Sequence, residues 1–229
     1  MNAAPHSLNL ADSDGARERL MEAAAQLFAL RGFEVTTVRD IVTAAGTNLN
    51  AINYYFGGKR GLYQAVMLRE LERARSFTAE LPHAAANDPI EQRLESLVLR
   101  LLTYFVSQHS RLPRLAALEV VNPSVAFEDV KASIQHEESR ELQDIVAVVL
   151  GPRASAETID DGIRCVYSQC IYFMFMGETL QRAGSLVFAN AAAVRRLATQ
   201  ITTFSLGGLR ALASASASLS PDPRNGVLR

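Results

Sequence analysis

Residues 36–62, TTVRDIVTAAGTNLNAINYYFGGKRGL, gather amide, hydroxyl and cationic side chains whose types suit nucleic-acid recognition. Asparagine can pair in bidentate fashion with adenine and an apolar side chain can meet a thymine methyl, so Leu49, Asn50 and Asn53 suit base reading. Phosphate oxygens take cations, hydroxyls and amides, which Thr37, Tyr55 and Lys59 offer at the edges of the segment. Arg39 can reach either a guanine or the backbone. Asn48 is both a cap and a candidate DNA contact.

These side chains act together only if two short helices hold them. Thr36 or Thr37 can cap a helix whose Ile41 and Ala45 face inward, and Gly46 closes it. Asn48 then caps a second helix, which Gly57-Gly58 breaks. Ile52 and Phe56 lie one turn apart and form its buried side, leaving Leu49, Asn50 and Asn53 outward. A helix-turn-helix places its second helix in the major groove, N-terminal residues toward the base edges. Lys59 sits at the next helix start, where free amides and the dipole favour an anion. Three neighbours have plainer readings: Leu49 also fits a core, Tyr54 is expected to pack, and Arg60 to be a solvated helix-start cation.

The chain has 229 residues, 48% of them apolar, and a formal net charge of −1. That balance excludes coating nucleic acid through bulk charge, because sequence-independent binding relies on many phosphate-neutralising cations. Any DNA contact must be local, and within 36–62 the cations Arg39, Lys59 and Arg60 face the single acid Asp40. Cys165 and Cys170 are too few and too poorly spaced for a disulfide framework or a zinc site. The start MNAAPHSLNLADSD lacks a signal-peptide pattern, and the longest apolar tract, CIYFMFMG, falls short of the roughly 20 residues a membrane span needs. The expectation is a soluble, cytoplasmic protein without membrane association, metal or cofactor.

Helical periodicity dominates and hairpin-bounded alternation is absent, so the fold class expected is all-α. Predicted helices cover about 14–30, the two short helices above, 59–81, 89–108 with Asp88 as cap and Pro89 in the first turn, 113–121, 124–150, 156–182 and 189–212. Four divisions follow: a disordered leader 1–13, a helix-turn-helix domain 14–62, a helical effector-binding and dimerisation domain 63–212, and a disordered tail 213–229.

The order of threonine, isoleucine, Ala45-Gly46, a tyrosine-phenylalanine pair, and a lysine before a leucine resembles the N-terminal signature of the tetracycline-repressor (TetR/AcrR) family over about residues 16–66. The segments LPRLAALEVVNPS and IVAVVLG are more weakly similar to the CerR-type C-terminal domain of one branch. The resemblance implies homodimeric repressors of palindromic operators, dimerised through the last two long helices and released by a small effector. It also implies operator contacts by Arg39, Asn50, Tyr55 and Lys59. Asn53 stands where many members carry tyrosine, Thr47 where valine is usual and Val42 where alanine is usual. The first departure points to a distinct operator preference, the others to slight repacking of the turn.

The segment IRCVYSQCIYFMFMG mixes large adaptable side chains with few polar ones, which suits a ligand cavity and a plain core equally. Tyr167, Cys170, Phe173 and Met174, with Phe105, His109, Glu119 and Phe127 from neighbouring helices, are the candidate ligand-binding residues. Ile163, Val166, Cys170 and Phe173 mark one face of that helix, and Tyr167, Ile171 and Met174 an adjacent one. Val194, Leu197, Ile201, Phe204 and Leu209 form a similar stripe on the last helix. His109 and Glu119 alone do not make a metal set. No charged constellation dominates, which favours a partly hydrophobic effector.

No phosphate-binding GxxxxGK, GxSxG elbow or HExxH is present, so the chain is not expected to be an enzyme. A transcriptional activator of the same fold and a helical small-molecule-binding protein without DNA function are the alternatives to a repressor.

Overall fold

The structure, a computed structural model, describes residues 10–107, 111–134, 138–185 and 188–218. Among them it contains only helices: α1 (Leu10–Val35), α2 (Val38–Ala45), α3 (Leu49–Phe56), α4 (Lys59–Ala79), α5 (Ile90–Val106), α6 (Leu112–Val121), α7 (Val125–Ile134), α8 (Glu138–Leu150), α9 (Ala156–Arg182) and α10 (Ala191–Ser218). The all-α class expected from periodicity is the observed one.

The boundaries depart from expectation in several places. α1 starts at Leu10, inside the expected leader, and its trace runs to Val35, although Gly32 breaks the helical backbone at φ 80°, ψ 172°. The helix expected over 124–150 is described as α7 and α8, on either side of residues 135–137. Pro89 is the residue before α5 rather than its first turn, and α5 has no side-chain cap. Asp88 instead closes the preceding loop, accepting a hydrogen bond from the Ala85 amide at 2.7 Å. α10 reaches Ser218 because the alanines of the Ala/Ser run sustain a helix already nucleated upstream. Residues 1–9 of the leader and 219–229 of the tail lie outside the described residues.

Two compact units are present. The first takes the described residues up to Ser76 together with 111–134, and the second takes 77–107 with the described residues from 138 onward. A boundary near residue 62 therefore does not coincide with the packing: α6 and α7 fold with the first unit.

In the first unit, Leu20, Ala24 and Phe28 of α1 form an apolar stripe and meet Ile41 and Ala45 of α2, Ile52 of α3, and Leu62, Tyr63, Val66 and Met67 of α4. Leu115 of α6 and Ala126 and Val130 of α7 complete that core. Phe28, Phe33 and Tyr63 pack edge-on, with the Tyr63 ring 5.0 Å from each of the other two. Burying such side chains contributes about 1.5–3 kcal/mol apiece, which is what fixes the short α2 and α3.

The second unit is built from α5, α8, α9 and α10. Leu94, Val98 and Leu102 of α5, Leu142, Ile145 and Val146 of α8, Val166 and Cys170 of α9, and Val194, Ala198 and Ile201 of α10 share its core. Gly162 allows α9 its close approach, since a Cβ there would lie 2.8 Å from Val146 Cγ1 and 2.9 Å from Leu209 Cδ2.

Candidate nucleic-acid interface

Thr37, not Thr36, caps α2. Its hydroxyl accepts the Asp40 amide at 3.1 Å, while the Asp40 carboxylate accepts the Thr37 amide at 3.1 Å and the Thr37 hydroxyl at 2.7 Å. This reciprocal box satisfies first-turn amides that helix geometry leaves open. The bonds from Thr37 hold the Asp40 carboxyl below the usual carboxylate range. Thr36 is buried and donates to the Gly32 carbonyl at 2.8 Å.

Gly46 ends α2 in the left-handed region at φ 61°, ψ 40°, a conformation that costs a residue with a Cβ free energy. Arg19 on α1 donates to the Ala45 carbonyl at 3.2 Å, tying this end of α2 to α1. Asn48 then caps α3, its Oδ1 accepting the Ala51 amide at 3.1 Å, which leaves its NH2 end as the donor. At the usual valine position, Thr47 buries its hydroxyl without a partner, and Val42 is buried.

Ile52 is fully buried and Phe56 half-buried, so the phase expected of α3 is observed. Leu49, Asn50 and Asn53 are exposed, and at 51% exposure Leu49 is not a core leucine. Tyr54 departs from expectation. Rather than packing it is 76% exposed, with its ring edge-on to Tyr55 at 4.9 Å. Tyr55 is half-buried and packs against the core of the unit. Tyr54 therefore joins the outward row of α3.

Lys59 opens α4 with its ammonium 4.3 Å from the Phe33 ring centre and donating to the Glu34 carbonyl at 3.3 Å. Partial burial lowers its pKa, opposed by the nearby Glu34. Arg60 is not a freely solvated cation: its guanidinium pairs with Asp129 of α7, which also accepts from Gln64. Arg39 is exposed, and Arg17 of α1 lies 5.5 Å from the centre of the Phe56 ring. Arg39 is thus exposed on α2 and Lys59 half-buried at the start of α4, while Arg60 is held to α7.

The candidate ligand-binding residues divide between the units. Phe105, Tyr167 and Phe173 pack against the core of the second unit, which contains Cys170, and Met174 is half-buried on α9. Burial pushes the Cys170 thiol up to about 12, whereas Cys165 is exposed, and both are free. Glu119 and Phe127 lie in the first unit, because α6 and α7 pack there. His109 lies outside the described residues. Among the described residues no group of His, Cys, Asp and Glu is arranged to hold a metal ion.

Glu119 has a different environment from the one expected. Its buried carboxylate accepts the Tyr63 hydroxyl, the Ser124 hydroxyl at 2.9 Å and the Ser124 amide at 2.7 Å. Burial and Glu119 together keep the Tyr63 hydroxyl protonated well above the usual phenol range. Glu70, 1% exposed on α4, is balanced by Arg73 at 2.8 Å and Arg111 at 3.8 Å, and Arg111 also pairs with Glu22 of α1. Sequence periodicity marks neither network, since a carboxylate facing inward reads as an interruption of the apolar stripe.

Residues 20–66 match the model for bacterial regulatory proteins of the tetR family, and residues 90–209 match the C-terminal domain of the HTH-type transcriptional dual regulator CecR. The branch expected above as CerR-type is the one this model names CecR. The probable HTH-type transcriptional regulator YttP of Bacillus subtilis is 29% identical over 133 residues, 57% of this chain and 62% of that protein. The HTH-type transcriptional repressor NicS of Pseudomonas putida is 32% identical over 107 residues, 47% of this chain and 49% of its own. The probable acrEF/envCD operon repressor of Escherichia coli K12 is 30% identical over 102 residues, 44% of each chain. Aligned regions thus span less than two thirds of these relatives. Among solved structures, a TetR-like transcriptional regulator from Rhodococcus sp. RHA1 superposes with a TM-score of 0.59 at 17% identity, covering 84% of this chain and 96% of its own. The fatty acid degradation regulator FadR from Bacillus halodurans gives 0.58 at 17% identity, with 92% and 99% covered.

Proposed function

Because the chain belongs to the TetR family of bacterial regulatory proteins, with a C-terminal domain of the CecR type, we propose that it is a homodimeric repressor that leaves a palindromic operator when a small molecule binds. The observation that carries this reading is the outward row of α3: Leu49, Asn50, Asn53 and Tyr54 exposed on a short helix pinned by Ile52. An exposed helix of this kind, rigidly backed, is what major-groove reading requires.

In this reading Asn50 and Asn53 pair with base edges, Leu49 and Tyr54 meet thymine methyls, and Arg39 and Lys59 take phosphates. Thr37 and Asn48 keep α2 and α3 in register through their caps, and contact the backbone with what donor capacity remains. Two copies double a small set of contacts, which an acidic chain requires for useful affinity. Repression rather than activation is favoured by the two relatives described as repressors. The apolar surroundings of Phe105, Tyr167, Phe173 and Met174 favour a partly hydrophobic effector.

Titration of a labelled fragment from upstream of the gene at moderate salt tests the proposal. A saturable shift resistant to competitor DNA is expected, and its loss is expected in a folded Asn50→Ala, Asn53→Ala double variant. Unchanged affinity in that variant overturns the assignment of α3.

A further inference from the structure

Asp129 of α7 holds a cation that lies close to the outward row of α3. Arg60 follows Lys59 in the first turn of α4, and its guanidinium donates to Asp129 Oδ2 through Nε at 2.8 Å and Nη2 at 2.5 Å. Gln64, one turn further along α4, donates its amide to the same oxygen. Both charged groups stay open to solvent, with 54% of the Arg60 side chain and 39% of that of Asp129 exposed. The start of α4 is packed on the end of α3: a Cβ at Gly61 would collide with the Phe56 carbonyl oxygen, and one at Gly58 would stand 3.9 Å from Asn53 Oδ1. Gly58 is two residues from Arg60, at most about 7 Å of chain. The outward row of α3 therefore ends within reach of an arginine side chain at position 60.

Packing gives this pair little purpose. α6 and α7 are already docked on the first unit by Leu115, Ala126 and Val130 in its core, and by the buried Glu119, which Tyr63 and Ser124 satisfy. An exposed ion pair adds little to such packing, because water screens it and two long side chains lose freedom. Arg111 is the contrasting case, since one of its partners, Glu70, is 1% exposed and a buried carboxylate needs cations beside it.

What the pair does change is charge. Arg39, Lys59 and Arg60 are the cations of 36–62, and the acid Asp40 is committed to the cap of α2. Asp129 cancels Arg60, so the first turn of α4 offers a phosphate the charge of Lys59 alone. A phosphate takes a guanidinium through the same paired N–H donors that a carboxylate does, so the two anions compete for one fork. Gln64 weights that competition toward Asp129, because its amide fixes the carboxylate where Arg60 meets it.

We propose that Arg60 is a masked phosphate-binding residue and that Asp129 is the mask, a positioning residue on α7 that keeps this guanidinium off the operator and so limits DNA affinity. This rests on the operator reading above. Fluorescence anisotropy on the full chain, across a salt series with the upstream fragment, tests it with wild type, Asp129→Asn, Asp129→Glu, Arg60→Gln and the Arg60→Gln/Asp129→Asn double variant. Asp129→Asn is expected to steepen the slope of log affinity against log salt by about two for a dimer, one for each freed guanidinium, and to tighten binding about tenfold near roughly 0.1 M salt. Arg60→Gln is expected to leave slope and affinity as in wild type, and the double variant to return to the wild-type slope. Asp129→Glu keeps the negative charge and is expected to keep that slope too. A change in net charge alone would move Asp129→Asn and Arg60→Gln by equal amounts in opposite directions, and that result overturns the mask. So does a wild-type slope in Asp129→Asn, or a steepened slope that persists in the double variant and so belongs to another cation. Any of these leaves the operator reading standing, whereas failure of wild type to bind the fragment saturably overturns that reading and the mask with it.

Discussion

A carboxylate can be buried only when its oxygens are satisfied, and Glu119 meets that demand with three donors from Tyr63 and Ser124. Glu119→Ala leaves the Tyr63 hydroxyl and the Ser124 amide unpaired inside the first unit, which should cost about 1–3 kcal/mol. Urea unfolding should show this as a lower midpoint at unchanged slope, with Glu119→Gln intermediate. Asp40 is a second titratable link. Its folded-state pKa is depressed by Thr37, so its contribution is complete above its ordinary value of 3.8 and is lost as pH falls through the folded value. The thermal midpoint should therefore drop on acidification below pH of about 4, and Thr37→Val should flatten that part of the acid limb. Among reading residues, Tyr54→Ala should leave stability unchanged, since the ring is exposed, but weaken operator binding. Asn48 and Ile52 were legible from local spacing alone, because a cap and a one-turn stripe are properties of neighbouring residues. The partners of Glu119 were not: Tyr63 is 56 positions away, and only the packing of α6 onto the first unit brings them together.

Helices meet where side chains permit, and two glycines set those approaches. At Gly61 a Cβ would collide with the backbone carbonyl oxygen of Phe56, an atom that cannot swing aside. Gly61→Ala should thus distort the α3–α4 turn itself and lose DNA binding along with thermal stability. Gly162→Ala meets the movable ends of Val146 and Leu209 instead, so overpacking should cost about 1–3 kcal/mol in the second unit without affecting the α3 row. Comparing thermal midpoints and operator affinity for the two variants separates these effects. The number and type of helices in α1–α6, α9 and α10 were readable from apolar period and from glycine and proline punctuation, whereas α7 and α8 read as one helix. The assignment of α6 and α7 to a unit was not, because chain order says nothing about which core a helix with two partly apolar faces will join. Asp88 illustrates the same limit on a smaller scale, as a carboxylate that accepts a loop amide and one that accepts a helix-start amide look identical in sequence.

At the scale of the whole molecule, the balance of charge determines how binding responds to salt. The chain carries 23 cations and 24 acids, so non-specific attraction to DNA should be weak, and the counterions released on binding should come from a few named groups. Arg60 is occupied by Asp129, and Thr37 and Tyr55 are uncharged, which leaves Arg39 and Lys59 in each copy. Two copies then neutralise about four phosphates, and the slope of log affinity against log salt should be about −3 to −4. Lys59 is held against Phe33 and the Glu34 carbonyl, so in the proposed interface it would take a phosphate with little conformational freedom left to lose. Lys59→Gln should reduce the slope by about two for a dimer, one for each copy, and weaken all operator sequences alike. Asn53→Ala should leave the slope intact and change the ranking of operator variants, because an amide on a base edge releases no counterion. Fluorescence anisotropy across a salt series distinguishes the two. A slope much steeper than −4 would mean that cations outside 36–62 reach the DNA, and would move the interface beyond the face of α3.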